Sequence, residues 1–218
     1  MHTLDELNTK IIACKKCPRL AKYIRAVAKE KVRRYSEWEY WGRPLPGFGD
    51  PDAKLLIIGL APAAHGGNRT GRMFTGDSSG DWLMRALHAS GFANQDTSER
   101  NDDGLTLKGA YITAIARCAP PNNKPAKEEI KNCSCYLLDE LKLLKKVKVV
   151  LTLGALAFNT YTSMHNIKGL KFVHGVFYAL NDVMLVASYH PSRQNTQTGK
   201  LKWDAWLGVF NKIRKITN

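Results

Sequence analysis

The sequence has no apolar run near the roughly 18 residues that a membrane helix needs. Its start, MHTLDELNTK, has neither the apolar stretch nor the cleavage site of a secretory signal, so we expect a cytoplasmic protein without a membrane partner. No internal repeat, low-complexity tract or clear linker divides the 218 residues, and the 44% hydrophobic residues suffice to fill one core. We therefore expect a single domain over residues 1–218 that acts as a monomer.

Cysteine is scarce, with five residues in the chain. An odd number of cysteines in a compartment that keeps thiols reduced argues against a disulfide scaffold. Four of the five would suffice to hold a metal centre, which leaves one spare.

Acidic residues are few, 19 against 33 lysines and arginines, so the net charge is +14. The commonest partners of such a positive charge are polyphosphate backbones. Lysine and arginine side chains that bind the phosphates release the counterions condensed on them, which favours binding. The alternative is a lysine-rich surface that only keeps the protein in solution, since net charge bears on association and not on fold.

Four short apolar runs predict buried strands, because they are rich in β-branched residues and do not alternate strictly. These runs are 54–59, 110–116, 147–154 and 183–189. The spacing of apolar residues predicts helices over 79–90, 127–144, 155–164 and 200–216. Strands that alternate with helices predict an α/β fold with three layers, α/β/α, around a central, mostly parallel four-stranded sheet.

The segment before the first predicted strand has two parts. Residues 1–35 are predicted to be helical, and residues 36–52, which are rich in Trp, Gly and Pro, are predicted to form an irregular arm packed on the core. Ligands of parallel sheets bind at the carboxyl ends of the strands. The distinctive residues of this chain fall at those ends, so we expect the functional site there.

The cysteine spacing predicts a metal centre. Cys14 and Cys17 form a C-x2-C pair at a turn, where two thiolates converge on one metal. Cys133 falls on the apolar face of its predicted helix, whereas Cys135 points elsewhere. This pattern nominates Cys133 beside Cys118 as the second pair, for zinc or for an iron-sulfur cluster. The alternative is that Cys118 and Cys133 are simple buried thiols.

A glycine-rich loop, GLAPAAHGGNRTGRMFTGDSSGDWL, occupies residues 59–83. Its glycines let backbone approach a ligand closely, and Asp77 stands where the N-cap of a helix is expected. Near the end of the chain, SYHPSRQNTQTGKL at 188–201 places His190 just beyond a buried strand. On their own, the aspartate would be a helix cap and the histidine a structural residue.

Three segments together resemble the uracil-DNA glycosylase superfamily, and most closely its family 5, the type B enzymes. They are GLAPAAHGGNRTGRMFTGD from residue 59, RCAPPNNKP at 117–125 and SYHPSRQNTQTG from residue 188. They occur in the family's order, and the similarity runs from the C-x2-C pair to the last helix. The resemblance implies an α/β/α fold and a [4Fe-4S] cluster on four cysteines: Cys14, Cys17, Cys118 and Cys133.

The resemblance implies a DNA repair enzyme. Such an enzyme would flip uracil out of DNA, expected to be double-stranded, and hydrolyse the N-glycosidic bond to leave an abasic site. No lysine is singled out as a nucleophile, so we expect a monofunctional glycosylase. The small side chains of Ala61, Ala63 and Ala64 would leave room for other deaminated or modified bases.

One departure from the superfamily bears on the mechanism. The first motif usually carries an activating polar residue, but here Leu60 and Ala61 stand in its place. In family 5 enzymes, an aspartate at the end of the loop looks as if it takes the place of that polar residue. In this sequence the matching residue is Asp77, so the resemblance implies that Asp77 activates the water. His190 would stabilise negative charge on the departing base.

The remaining site residues follow from the same match. Phe74 would stack on the base and Asn123 would bind its pyrimidine edge, although without the family a core aromatic and a turn residue would be the favoured interpretations. Contacts to the base are expected from Gly59, Ala61, Ala63, Phe74 and Asn123. Contacts to the duplex are expected from Arg193, Gln194 and Asn195.

Two other classes of function would account for part of the sequence. A non-catalytic iron-sulfur module that binds nucleic acid would explain the charge and the cysteines, but not the glycine-rich loop, Asp77 or His190. An α/β enzyme for free mononucleotides would use the glycines to hold phosphate, but would have no need of the polar loop after His190.

If the positive charge serves DNA, affinity should fall steeply as salt concentration rises. Fluorescence anisotropy with a labelled duplex that contains uracil, at several salt concentrations, measures this. A nearly flat salt response would contradict it.

Overall fold

The computed structural model describes residues 3–218, so Met1 and His2, which open the predicted helical segment 1–35, lie outside the described residues. Its centre is one six-stranded sheet in the order β1-β3-β2-β4-β6-β5. The strands are β1 (Phe48–Gly49), β2 (Leu55–Gly59), β3 (Ala110–Ala114), β4 (Val149–Leu153), β5 (Val176–Ala179) and β6 (Met184–Ser188).

The four predicted strands are confirmed as β2, β3, β4 and β6, and they are mutually parallel. The predicted count of four is wrong, because two antiparallel edge strands flank them. β1, which lies within the predicted irregular arm, pairs with β3. β5 pairs with β6. Both edge strands are short and only partly buried, so neither has the continuous apolar run of a central strand.

Eight α-helices are present in the described part of the chain: α1 (Leu4–Ile12), α2 (Pro18–Glu30), α3 (Gly67–Thr70), α4 (Ser78–Ala89), α5 (Lys127–Leu143), α6 (Ala155–Met164), α7 (Arg193–Gln197) and α8 (Trp203–Thr217). Short 3-10 turns occupy Arg33–Tyr35 and Pro121–Asn123. The four predicted helices are confirmed as α4, α5, α6 and α8. No helix within residues 3–218 is long and apolar enough to cross a membrane.

Each face of the sheet is covered by helices. Successive residues of β2 alternate between the two faces: Leu55 and Ile57 belong to a core with α4 and α8, while Leu56 and Ile58 belong to a core with α5 and α6. All four side chains are fully buried. The predicted α/β/α class is therefore confirmed.

A buried ion pair lies beside β3. Arg117 is 1% exposed and Glu140, on α5, is 0% exposed, and their side chains form a salt bridge. Thr113 Oγ1 donates a second hydrogen bond to Glu140 Oε2, at 2.6 Å. The backbone N–H of Arg117 also lies against the sulfur of Cys133. This pair thus fixes the end of β3 against α5.

Glu140→Gln should destabilise the fold by roughly 3 kcal/mol, because it leaves the buried charge of Arg117 without a counter-charge. The matched control is Asp102→Asn, since the Arg100–Asp102 pair has side chains 56% and 67% exposed. An exposed pair is worth about 1 kcal/mol or less. Urea unfolding of both variants measures the difference, and equal losses would contradict this account.

Candidate functional site

A cavity of about 390 Å³ opens at the carboxyl edge of the parallel strands. Its size falls within the range of small-molecule sites. Its wall combines small apolar side chains with a few polar ones. The lining residues are Leu60, Ala61, Pro62, Ala63, Met73, Phe74, Asp77, Ser79, Asn123, Leu153, Gly154, Ala155, Leu156, Ala157, His190 and Ser192. Six of the predicted site residues therefore meet in one place.

Phe74 and His190 form one aromatic end of this cavity. Their ring centroids are 5.7 Å apart and the ring planes differ by 32°. Gly59, at the end of β2, does not line the cavity but lies directly beneath the Phe74 ring. A Cβ atom at Gly59 would stand 2.9 Å from two carbons of that ring, so the absence of a side chain lets the ring rest on the strand end.

His190 follows β6 and is held through its backbone. Asn195 Nδ2, on α7, donates to the His190 carbonyl at 2.8 Å. Burial lowers the pKa of His190 to about 4, so its imidazole is neutral near pH 7. Within residues 3–218, neither ring nitrogen has a protein hydrogen-bond partner. A neutral imidazole with a free N–H can therefore donate to a ligand in the cavity.

His174 supports this segment and was missed by the sequence analysis. Its Nδ1 accepts a hydrogen bond from the Tyr189 backbone N–H at 3.2 Å and lies 3.2 Å from Ser188 Oγ. Its ring stacks on Tyr189, with centroids 4.9 Å apart and planes within 10°. His174 lies 16 positions before His190 in a segment without a recognisable motif, so only the folded chain reveals this contact.

Asp77 caps a helix and also lines the cavity. Its Oδ1 accepts from the backbone N–H groups of Ser79 and Gly80, each at 3.0 Å, which makes it the N-cap of α4. Its Oδ2 lies against Gly66, and the residue also lines the cavity. Burial raises the pKa of Asp77, although the two N–H groups and nearby arginines oppose that rise. A raised pKa makes the carboxylate a stronger base.

The loop between β2 and α4 is anchored by a buried arginine. Arg72 donates to Thr75 Oγ1 at 2.9 Å, to Ser98 Oγ at 3.0 Å and to Asp103 Oδ2 at 2.7 Å. Although burial acts to raise the pKa of Asp103, hydrogen bonds from Arg72 and from backbone N–H groups lower it to about 2. This network fixes the loop on both sides of Phe74, because Arg72 and Thr75 flank that residue in the chain.

The remaining predicted residues lie at the rim. Asn123 is exposed in the Pro121–Asn123 turn, and its backbone is in the left-handed region, with φ of 55°. Arg193 and Gln194 are exposed on α7, and Arg193 Nε donates to Ser78 Oγ at 3.2 Å. Asn195 is half-buried, because its amide is bonded to His190.

The four predicted metal ligands come together near the start of α2. Cys17 packs with Cys118 in one small apolar cluster, and Cys14 packs in the neighbouring one. Burial, followed by repulsion from Cys133, Cys14 and Cys17, raises the pKa of Cys118. Burial also raises the pKa of Cys133 to about 11. As free thiols these two would be protonated at pH 7.

Cys135 packs in the same small apolar cluster as Cys14. Its sulfur is 3.2 Å from Lys16 Nζ and donates to the Asn132 carbonyl at 3.5 Å. As the side chains stand, no group of three His, Cys, Asp or Glu within residues 3–218 is arranged to hold a single metal ion.

Known proteins match this chain over most of its length. A family model described as the uracil DNA glycosylase superfamily matches residues 46–213. The chain belongs to the uracil DNA glycosylase superfamily. Within it, curated type-5 uracil-DNA glycosylases are similar: that of Pyrobaculum aerophilum is 44% identical over 95% of this chain and 91% of its own. That of Thermus thermophilus is 44% identical over 94% of each chain. The predicted membership in family 5 is confirmed.

More distant members are similar too. A type-4 uracil-DNA glycosylase of Archaeoglobus fulgidus is 27% identical over 88% of this chain and 83% of its own. Among solved structures, the solution NMR structure of a candidate uracil DNA glycosylase from Methanosarcina acetivorans covers 78% of this chain and 96% of its own. Its TM-score is 0.50 at 15% identity, so it supports the superfamily fold alone.

Gly59→Ala should push the Phe74 ring away from His190, because the new methyl group would occupy the place of the ring. Nuclear Overhauser contacts between the two rings measure this, and they should be lost. The matched control is Gly208→Ala on α8, where a Cβ atom meets nothing within 4 Å. The control should keep the ring contacts, and their survival in Gly59→Ala would show that this account of the cavity is wrong.

Proposed function

We propose that this protein is a DNA repair glycosylase that flips uracil out of DNA and hydrolyses its N-glycosidic bond, leaving an abasic site. The main observation behind the proposal is that Asp77, His190 and Phe74 line one and the same cavity. The type-5 relatives, which are named as uracil-DNA glycosylases, support it across nearly the whole chain.

The cavity suits an everted base. A base within a duplex cannot reach a pocket, so the nucleotide must be extruded, at a cost of a few kcal/mol that is smallest for a mismatched pair. Phe74 offers an aromatic face for stacking. Asn123 stands at the rim, where its amide provides a donor and an acceptor for the pyrimidine edge. Ala61 and Ala63 leave room for deaminated bases larger than uracil.

His190 would stabilise the departing base. As the glycosidic bond breaks, negative charge develops on uracil, and a donor placed in advance at O2 lowers that barrier. A neutral imidazole fits this role, since it donates one N–H without first losing a proton. The Asn195 and His174 contacts hold the backbone around it.

Asp77 would act on water. Its carboxylate is fixed by the N-cap bonds, and its charge faces a sugar that becomes positive as the base leaves. The carboxylate would orient and deprotonate the attacking water. No lysine is among the cavity residues that the structure describes. This lining supports a monofunctional enzyme, because a Schiff-base nucleophile would need an amine there.

The DNA surface is proposed at α7. Arg193 and Gln194 are exposed next to the cavity mouth, where a guanidinium would meet phosphate and the side chains would fill the gap left by the extruded base. Asn195 is proposed to contribute to this surface indirectly, because its side-chain amide holds the His190 backbone in place. Double-stranded DNA is the proposed substrate.

An oligonucleotide duplex with one uracil, treated with alkali after incubation, tests the activity, because only an abasic site gives strand scission. Asp77→Asn should slow single-turnover excision by roughly 10²-fold or more. His190→Ala should slow it by roughly 10²- to 10³-fold, as for the loss of one oxyanion donor. Activity at the parental rate in either variant would contradict the assigned role. Hypoxanthine in place of uracil tests the wider base range.

We also propose a [4Fe-4S] cluster on Cys14, Cys17, Cys118 and Cys133. Their convergence from three separate segments fits four thiolate ligands. A cluster would be held by four separate thiolates, so the four sulfurs would not need to surround a single ion. When bound, the cluster supplies a cross-link between the helices before β1 and the segment after β3. The Asn132 amide, 3.6 Å from Cys17 Sγ, and the Arg117 backbone N–H would donate to ligand sulfurs.

Cys133→Ser should remove the cluster, because Cys133 lies close to Cys118. Cys135→Ser should retain it, because the Cys135 sulfur is bonded to Lys16 and to the Asn132 carbonyl. Iron and sulfide analysis with a visible absorption spectrum of each purified variant measures this. Full iron content in Cys133→Ser, or its loss in Cys135→Ser, would reverse the assignment.

The non-catalytic iron-sulfur module is not supported. It leaves the cavity, the half-buried Asp77 and the neutral His190 unexplained, and the type-5 relatives are named as glycosylases. An enzyme for free mononucleotides likewise leaves the exposed cation of α7 unexplained.

A further inference from the structure

In the part of the chain that the structure describes, Arg69 is a buried cation with no carboxylate within salt-bridge distance. Its residue is 3% exposed. None of the salt bridges among residues 3–218 includes it, and its Nη1 atom has no hydrogen-bond partner. Burial of an unpaired charge is costly, and burial here lowers the pKa of Arg69. A residue held at such a cost needs an explanation that packing alone does not give.

Two hydrogen bonds tie Arg69 to the glycine-rich loop. Its Nε donates to the His65 carbonyl at 2.8 Å, and its Nη2 donates to the Gly76 carbonyl at 2.9 Å. Gly76 immediately precedes Asp77, and its φ is 74°. A Cβ atom at Gly76 would collide with Arg69 Nη2, so a glycine is required for this approach. Arg69 therefore fixes the backbone from which the Asp77 side chain projects.

Two aromatic rings hold the guanidinium in place. Arg69 Cζ lies 3.8 Å from the Tyr35 ring centroid and 4.0 Å from that of Trp38, which are contacts at cation–π distance. The two rings meet edge to face, 6.1 Å apart, and form a corner around the cation. Each ring also lies near a second cation: Arg34 Cζ is 5.2 Å from the Tyr35 centroid, and Arg100 Cζ is 4.9 Å from that of Trp38.

A second pocket, of about 320 Å³, adjoins the cavity at Asp77. The charged and titratable groups that line the two pockets together with Asp77 are Arg34, Tyr35, Arg69, Asp81, Glu99, Arg193 and His190. His190 is neutral, and repulsion between Asp81 and Asp77 opposes ionisation of both. Arg34 and Arg193 are exposed, so water and salt screen their charge. The charge of Arg69 acts in a medium of lower dielectric constant and is screened less.

We propose that Arg69 is the positioning residue of the site: its charge keeps the Asp77 carboxylate ionised, and its bonds to the loop hold that carboxylate at the cavity wall. The inference rests on the proposed function for its catalytic consequence, but not for its electrostatic one. Tyr35 and Trp38 belong to it as the rings that keep the guanidinium in place.

The electrostatic part is tested without DNA. The ¹³C carboxyl signal of Asp77, identified by its disappearance in Asp77→Asn, is titrated in the parent, in Arg69→Gln and in Arg100→Gln. Removal of the Arg69 charge should raise the pKa of Asp77, since an opposite charge favours the ionised form. Arg100→Gln is the matched control, because it removes an exposed cation that also contacts the Trp38 ring. It should leave the titration of Asp77 unchanged.

The catalytic part is tested by the pH dependence of excision. Carboxylate is the active form, so a higher pKa in Arg69→Gln should slow the reaction about tenfold at the acid end of the range, with recovery as pH rises. Arg69→Lys keeps the charge and should keep the parental acid limb even if the fold is less stable. If Arg69→Gln does not fold, Trp38→Leu takes its place in the experiment. This variant should also move the low-pH decline of the excision rate to higher pH.

The outcomes separate the two proposals. If the parent excises no uracil at any pH, the proposed function fails, and the ¹³C titration still decides the role of Arg69. An unchanged Asp77 titration in Arg69→Gln would overturn the inference. So would a loss of rate that is equal at every pH and follows the loss in thermal stability.

Discussion

Asp77 accepts two backbone hydrogen bonds at the start of α4 while it lies inside a cavity that removes most of its water. A carboxylate in that setting tends to become neutral, yet a base must be ionised to take a proton. The N–H groups of Ser79 and Gly80 and the charge of Arg69 oppose that tendency. The rest of the site depends on this balance between desolvation, which raises the pKa of Asp77, and the hydrogen bonds and charge that oppose the rise.

The cysteine cluster and the cavity share one stretch of chain. After β3, Arg117 enters its buried pair with Glu140, Cys118 turns toward the other thiols, and Asn123 reaches the cavity rim. The position of the Pro121–Asn123 turn at the cavity rim therefore depends on how firmly the residues before it are held. A cross-link at Cys118 would stiffen this stretch from one side, as the ion pair does from the other. The proposed metal centre in this way has a structural part in the site without touching the substrate.

The central strands and the main helices were predictable, because buried parallel strands are continuous apolar runs and the helices carry one apolar face. The edge strands were not, since β1 has two residues and β5 is only partly buried. A turn signal was present before β6 in Asn181 and Asp182, which join the two strands of that hairpin.

The site shows the same division. Asp77, His190 and Phe74 could be placed because long motifs carry them, and Cys133 could be separated from Cys135 by helix geometry. Arg69 and His174 could not, because their roles arise only when distant segments meet: Tyr35 and Trp38 around the first, and Tyr189 on the second. Burial of a cation against two rings leaves no local pattern in the chain.

The most direct measurement is a crystal structure of the Asp77→Asn variant bound to a DNA duplex with one uracil. The account predicts that uracil lies outside the helix and inside the cavity, on the Phe74 ring, with its O2 within hydrogen-bond distance of the His190 imidazole. A uracil that stays stacked in the duplex, or that occupies another surface while this cavity holds only solvent, would contradict it.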